Sequence, residues 1–215
     1  MRIPLKNVLK RQSHVQLAEL QDEVVDLVYS VFPKAVLHGG TAIWRCLQGN
    51  RFSEDLDFYA LVDRKFKQGL EEEIKKRGLF LAKFKQTQNT VFAKISNFQT
   101  EVSLEISVRK SPEIISTSFE KTNGSSTEIF TLSPEELLKE KSAAYLNRGL
   151  VRDLYDVFFL LGKTDTIDRA RKELEKLIKN SKAPVDEKNL KTLVFSGIAP
   201  SSKNMLEKIQ KRLLA

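Results

Sequence analysis

Two carboxylates at alternating positions mark the chemically most informative part of the chain. Asp55 and Asp57 alternate with Leu56 and Phe58. In a strand, residues two apart point to the same face, so both carboxylates share one face while their apolar neighbours enter a core. Like charges on one face repel unless a cation lies between them, and Mg²⁺ with substrate phosphates suits such oxygen ligands. The alternative is an acidic strand end paired with lysines, but Asp is unfavourable within a strand, so we favour a metal site.

A glycine turn precedes these aspartates. Val36 and Leu37 read as the end of a strand, and His38 leads into Gly39 and Gly40. Glycines permit a tight turn and close backbone approach, and the residue after them would open a helix whose free amide groups face an anion. The pattern predicts that the backbone of Gly39, Gly40 and Thr41 binds phosphate groups.

A third carboxylate is expected from a neighbouring strand. Residues 101–108 alternate apolar and polar positions, and Glu105 lies in the middle of the polar face between Ser103 and Ser107. We expect Glu105 to reach the metal beside the two aspartates. Glu101 has the same parity and is the second choice. A glutamate on the solvent side of a half-buried strand is the alternative.

Cations recur later in the sequence at helical spacing. Lys141, Arg148 and Arg152 stand at i, i+7 and i+11, so a helix continuing through Gly149 would place them on one stripe. An anionic triphosphate would relieve their mutual repulsion. A solvated basic face is the alternative. Asp153 could orient Lys141 or Arg148.

The glycine turn and the Asp-x-Asp pair together resemble the nucleotidyltransferase fold of DNA polymerase beta. The fuller string GGTAIWRCLQGNRFSEDLDF is similar to the AbiEii/AbiGii family of abortive-infection toxins, and so is the block that joins Lys141 to RDLYD at residues 152–156. The resemblance implies two Mg²⁺ ions at Asp55 and Asp57. It also implies nucleotide contacts from Arg51 and Ser53. The residues it implies as catalytic are Asp55, Asp57, Lys141 and Asp153, with Arg148 binding the nucleotide.

The same resemblance carries expectations about activity and partners. It implies transfer of a nucleotidyl group from a nucleoside triphosphate (NTP) to an acceptor hydroxyl, with the tRNA 3′ end as the acceptor in related toxins. It further implies a separately encoded antitoxin. Two alternatives stay open: a non-catalytic NTP-binding adaptor, and a transferase acting on a protein or small molecule. The intact Asp-x-Asp pair argues against the adaptor, because a binding module needs no such pair.

Charge and composition narrow the partners and the compartment. The 215 residues include 36 basic and 28 acidic side chains, a net charge of +8, and many of the cations follow Lys163. This excess favours a polyanion such as RNA, although a solvated helical face paired with glutamates is an equal interpretation. We expect no membrane span, no signal peptide and, with Cys46 as the single cysteine, a cytoplasmic protein.

The element pattern predicts an α+β fold. A mixed nucleotidyltransferase-like sheet with flanking helices would be followed by a helical C-terminal half. We place the α/β core at residues 1–130 and a helical domain that completes the NTP site at residues 131–215. Ser133 and Pro134 form a typical helix start.

Overall fold

A computed structural model describes residues 3–63, 65–180 and 182–214. The helices are α1 (Leu5–Val8), α2 (Gln12–Val31), α3 (Gly39–Cys46), α4 (Phe66–Lys76), α5 (Pro134–Arg148), α6 (Val151–Leu160), α7 (Arg171–Asn180), α8 (Leu190–Leu193) and α9 (Ser202–Leu214), with a 3₁₀ turn at Glu187–Asn189. The strands are β1 (Val36–His38), β2 (Leu56–Ala60), β3 (Phe80–Gln86), β4 (Thr90–Ser96), β5 (Glu101–Val108), β6 (Ile114–Glu120) and β7 (Ser126–Leu132).

The strands form one mixed sheet in the order β3-β4-β5-β2-β1-β7-β6. The pairs β2–β5 and β1–β7 are parallel, and the other neighbouring pairs are antiparallel. The central β2 therefore lies between a strand that precedes it in the chain and one that follows it much later. This confirms the predicted α+β fold, with helices flanking a mixed sheet.

The two faces of the sheet are covered differently. α2 and α4 pack on one face, in an apolar cluster that includes Phe58, Leu70 and Leu104. The helices after residue 133 pack against the other face, where their cluster takes in Val36 and Tyr59 but no described residue of β3, β4 or β5. On this second face, the half formed by β3, β4 and β5 is therefore not covered by helices.

The change from sheet to helix occurs at Ser133. Its hydroxyl accepts a hydrogen bond from the Glu136 amide at 3.3 Å, which caps α5 as the sequence predicts. Gly149 ends α5 in the left-handed conformation, with φ of 65°. The domain boundary placed at residue 130 stays a prediction. No helix among the described residues combines the length and apolarity that crossing a bilayer requires.

One strand escaped the sequence analysis. The sequence predicts a short strand at Ile129–Leu132, whereas β7 begins at Ser126 and pairs along its length with β6. β6 reads IISTSFE, and its Ser and Thr residues hide the apolar alternation. The pairing is antiparallel and lies at the edge of the sheet, where one side of a strand faces water.

Candidate functional site

A polar cavity of about 240 Å³ lies between the sheet and the helical half. Its lining combines carboxylates from the sheet with cations from the helices. The lining residues are Gly40, Arg51, Ser53, Asp55, Asp57, Phe92, Ser103, Glu105, Lys141, Arg148 and Arg152. Eight of the eleven residues predicted for the site line this cavity. Gly39, Thr41 and Asp153 lie immediately behind its wall.

The register of the sheet places the carboxylates. Asp57 on β2 pairs with Glu105 on the parallel strand β5, and Asp55 immediately precedes β2. Leu56 and Phe58 are fully buried, so Asp55 and Asp57 face away from the core. Burial raises the pKa of the Asp57 carboxyl, and although His38 and Lys141 oppose the rise, the charge of Asp55 adds to it. A cation would relieve this penalty.

The carboxylates share a cavity without forming a closed metal cage. Among residues 3–63, 65–180 and 182–214, no three His, Cys, Asp or Glu side chains stand in a ready metal-binding arrangement. Glu101, the second choice for the third carboxylate, forms an ion pair of 2.6 Å with Lys94 and does not line the cavity. The geometry thus favours Glu105 over Glu101.

The glycine turn allows the carboxylates to approach the backbone. Gly39 has φ of 74°, and a Cβ placed on it would overlap the Asp57 carboxylate. A Cβ on Gly40 would lie 2.5 Å from Ser53 Oγ and 2.6 Å from Arg51 Nη2. Both positions therefore require glycine, for backbone conformation at the first and for close packing at both. The helix begins at Gly39, two residues before the predicted start.

Two buried side chains hold the segment between the turn and β2. Thr41 is fully buried, and its hydroxyl donates to the carbonyl of Asp55 at 2.6 Å. Gln21 on α2 donates to the carbonyls of Ser53 and Glu54 at 2.9 and 3.0 Å. The Thr41 side chain thus positions an aspartate rather than facing the cavity. Gln21 has no sequence signal of its own, because it looks like any polar residue of an amphipathic helix.

Arg51 is committed to a buried ion pair. Its Nε and Nη2 donate to the two carboxylate oxygens of Asp156 at 2.7 and 2.8 Å, and Nη1 donates to the carbonyl of Phe52. Burial would lower the pKa of Arg51, but the Asp156 carboxylate raises it. Arg51 contributes a wall of the cavity, and most of its hydrogen-bonding capacity is used inside the protein.

Lys141 and Arg148 both contact a second buried carboxylate, that of Asp153. Arg148 donates from Nε and Nη2 to Asp153 at 2.7 and 2.8 Å, and Lys141 Nζ lies 3.7 Å from Asp153 and 3.0 Å from Asp156. Asp153 has no exposed surface, whereas the Arg148 side chain is 44% exposed. The carboxylates of α6 therefore hold the two cations against the cavity from behind.

The condition for a continuous stripe of cations is not met, because Gly149 ends α5 and α6 begins at Val151. Lys141, Arg148 and Arg152 nevertheless line the same cavity, since the short connection folds α6 back beside α5. Among the described residues, no ion pair or hydrogen bond engages the Arg152 side chain. It is the cation of the three that is most available to an anion.

The cysteine and the aromatic neighbours of the turn are structural. Burial raises the pKa of Cys46 to about 12, which keeps its thiol protonated at neutral pH and disfavours a nucleophilic role. Trp44 and Phe52 are 1% exposed and pack against each other. His38 stacks on Tyr59 with ring centroids 3.9 Å apart, and its Nδ1 lies 3.3 Å from Glu140.

Phe92 is a lining residue that the sequence analysis missed. It lies on β4, directly opposite Glu105. Val91, Ala93 and Ile95 face the core, so an aromatic residue between them stands at a polar position. A large aromatic ring on the exposed side of a strand is unusual, so this position could have been recognised in the sequence as a candidate binding residue.

The sequence model of one protein family, described as the nucleotidyl transferase AbiEii toxin of type IV toxin–antitoxin systems, matches residues 27–214. The match covers most of the chain, and the chain belongs to this family. It is therefore a nucleotidyltransferase toxin of the type IV class, as the resemblance of its motifs implies. No curated protein matches the chain at a significant level.

Solved structures share the fold. The chain is similar to MenT4, a nucleotidyltransferase toxin from Mycobacterium tuberculosis H37Rv, with a TM-score of 0.65 and 20% identity over 94% of this chain and 82% of that chain. It is also similar to JHP933 from Helicobacter pylori, with a TM-score of 0.65 and 22% identity over 95% of this chain and 94% of that one. At these identities the likeness establishes the fold, and the chemistry has to be argued from the cavity.

Proposed function

We propose that this chain is a Mg²⁺-dependent enzyme that transfers a nucleotidyl group from an NTP to an RNA acceptor, with a tRNA end as the favoured substrate. It would act in the cytoplasm, where both substrates occur, and a cognate antitoxin would restrain it. The observation that carries the proposal is the division of the cavity into a carboxylate side and a cationic side. That division matches a substrate whose phosphates must contact both metal ions and basic side chains.

The donor set fits a hard divalent cation. Asp55, Asp57 and Glu105 offer carboxylate oxygens in one polar cavity, and burial raises the pKa of Asp57 even though His38 and Lys141 oppose the rise. We assign these three side chains as the metal ligands. When bound, Mg²⁺ would activate the acceptor hydroxyl and neutralise charge on the α-phosphate and the leaving pyrophosphate.

The protein's own groups would bind and orient the triphosphate. Arg152 and Arg148 present guanidinium groups that can donate in pairs to phosphate oxygens, and Lys141 adds an ammonium group. Gly40 and Ser53 would lie along the phosphates at the turn. Asp153 is assigned a positioning role, because it contacts the two cations and does not reach the cavity.

The direct test is incubation of the purified protein with each labelled NTP, Mg²⁺ and either total RNA or total protein. We expect label in the RNA pool, and digestion from the 3′ end should release it. Label in protein would shift the acceptor to a side chain on the same fold. Absence of transfer to either pool, with NTP binding retained, would support the adaptor instead.

A further inference from the structure

The uncovered face of β3, β4 and β5 lies directly beside the carboxylates of the cavity. Register pairs connect Asp57 on β2 to Glu105 on β5, Glu105 to Phe92 on β4, and Phe92 to Lys85 on β3. Residues opposite one another across neighbouring strands point to the same face. One row across the sheet therefore leads from the proposed metal site over an aromatic ring to an exposed lysine.

A second row parallels the first and adds basic charge. Lys94 on β4 pairs in register with Lys83 on β3, and the Lys83 ammonium lies 5.5 Å from the centroid of the Phe92 ring. Lys94 is neutralised by its ion pair with Glu101. Lys83 and Lys85 are exposed, and no described carboxylate forms an ion pair with either. The face thus carries two free cations around one ring.

Two more aromatic rings lie at the far end of this face. Phe80, opposite Ser96 on β4, is 47% exposed, and Phe98 in the following turn is 91% exposed. Their ring centroids are 5.0 Å apart in an edge-to-face arrangement. Ser96 is four residues from Phe92, about 13 Å along the strand. The two rings therefore present apolar surface on the same face as Phe92 and the free lysines.

We propose that the open face of β3, β4 and β5 docks the single-stranded end of the acceptor RNA and leads its terminus into the cavity. This inference rests on the proposed function, since it locates the acceptor of that reaction. Phe92 would stack on a base at the mouth of the cavity, and Phe80 with Phe98 would receive a base further back. Lys83 and Lys85 would contact the phosphates between them.

The surface suits a single strand because unpaired bases expose their planar faces to aromatic rings, whereas a duplex buries them. In the helical half two arginines are engaged within the protein, whereas exposed lysines such as Lys172 and Lys176 form no ion pair among the described residues. Arg169 pairs with Glu113 at 2.8 Å, and Arg171 donates to the carbonyl of Leu213 at 3.1 Å. The sheet face combines free cations with exposed rings and borders the proposed metal site, whereas Phe158 and Phe159, the rings that Lys208 and Lys163 approach in the helical half, are partly buried.

Binding of a fluorescent 12-nucleotide single-stranded RNA to the full chain tests the proposal. The double variant Lys83→Glu, Lys85→Glu should weaken binding at least about tenfold, and the salt slope should fall by about 1.4 for two lost phosphate contacts. The matched control is Lys172→Glu, Lys176→Glu on α7, which makes the same change of charge at exposed positions. Equal loss in both variants, or loss in the control alone, would overturn the proposal.

Stacking is tested separately at the far end of the face. Phe98→Ala removes a ring that is 91% exposed, so the fold should be retained. We expect RNA affinity to fall at least about fivefold while NTP binding is unchanged. Ultraviolet cross-linking should attach RNA to a peptide containing Phe80, Phe92 or Phe98. Unchanged affinity in Phe98→Ala together with cross-links confined to α7–α9 would refute a sheet-face site.

Failure of this inference can be separated from failure of the proposed function. If the wild type labels RNA and the Lys83→Glu, Lys85→Glu variant labels it equally well at limiting RNA, the docking surface is wrong and the transferase reaction stands. If the wild type binds the single strand through this face and never labels RNA, the docking surface stands and the proposed transfer to RNA is wrong. A duplex of the same length should compete poorly, and equal competition would exclude a single-strand site.

Discussion

Asp57 and Glu105 are direct register partners on the parallel strands β2 and β5. Their separation along the chain is large, so no local pattern could bring them together, and the pairing depends on the order of strands in the sheet. The same register aligns Phe92 and Lys85 with them on the neighbouring strands. The site and the open face beside it are thus two parts of one surface.

Asp57→Asn should strongly reduce transfer and should stabilise the protein in the absence of metal. The pKa of Asp57 is raised in the folded protein. At pH values above the ordinary carboxyl pKa, keeping this side chain ionised therefore costs folding free energy. At neutral pH the neutral amide removes that penalty, so Tm should rise, by about 2–4 °C for each 1 kcal/mol relieved. Transfer should fall roughly 10²-fold or more.

The control for Asp57→Asn is Glu101→Gln, which changes a carboxylate on the same sheet face outside the cavity. It should keep full activity. Mg²⁺ should raise the Tm of the wild type and of this control, and it should not raise that of Asp57→Asn, because only a bound ligand stabilises the folded state. Native activity in Asp57→Asn would exclude the proposed metal site.

Gly39→Ala should lower stability and abolish activity. Alanine at φ of 74° is strained by about 1–2 kcal/mol, and its Cβ would overlap the Asp57 carboxylate. Gly78→Ala is the matched control, with φ of 68° and no atom within 4 Å of the added Cβ. Both variants should lose stability in chemical denaturation, but only Gly39→Ala should lose transfer. Equal activity in the two would mean that the turn does not shape the site.

Arg152→Ala should weaken NTP use without weakening the fold, because no ion pair among the described residues depends on it. We expect kcat/KM to fall by roughly 10–10²-fold, with Tm unchanged. Lys139→Ala removes a half-exposed cation from α5 outside the cavity, and its ion pair with Glu136 is long, at 3.8 Å. Steady-state kinetics with varied NTP separates the two. An equal fall of kcat/KM in Lys139→Ala would mean that Arg152 acts only through the net positive charge of the protein and does not contact the NTP.

Asp156→Asn should destabilise the protein by about 3–5 kcal/mol, since it removes the carboxylate paired with the buried Arg51 and the nearer of the two carboxylates that face Lys141. Burial alone would raise the pKa of Asp156, but Arg51 and Lys141 lower it below the ordinary value. A depressed pKa contributes stability that is present above the ordinary carboxyl pKa and lost as pH falls through the folded-state value.

The corresponding pH experiment follows urea unfolding from pH 7 to pH 2. Wild-type stability should drop below about pH 4, and the Asp156→Asn variant should show a smaller drop over that range. Identical pH profiles would show that the Arg51–Asp156 pair contributes nothing to acid sensitivity. Other carboxylates titrate there too, so the difference between variant and wild type is the quantity to compare.

Local patterns gave most elements of the fold. The strand at residues 101–108 and the helix start at Ser133 both appear at their predicted places, because each depends on neighbours in sequence. β6 was missed since its polar residues obscure the period of two. A single stripe of cations would need a helix that continues through Gly149, and there a left-handed residue redirects the chain.

The sequence by itself determined the carboxylates, the glycine turn and the cations, because their chemistry is carried by residue type and short spacing. The tertiary structure decided which of them face the cavity. Arg51 and Asp153 turned out to be held in ion pairs behind or along its wall, and Phe92 joined the lining. Spacing along the sequence determines which way side chains point within one helix or strand. Which helices and strands lie next to each other depends on the strand order and on how the chain connects them. The uncovered face of β3, β4 and β5 is such a consequence, since it exists only because the helical half packs elsewhere.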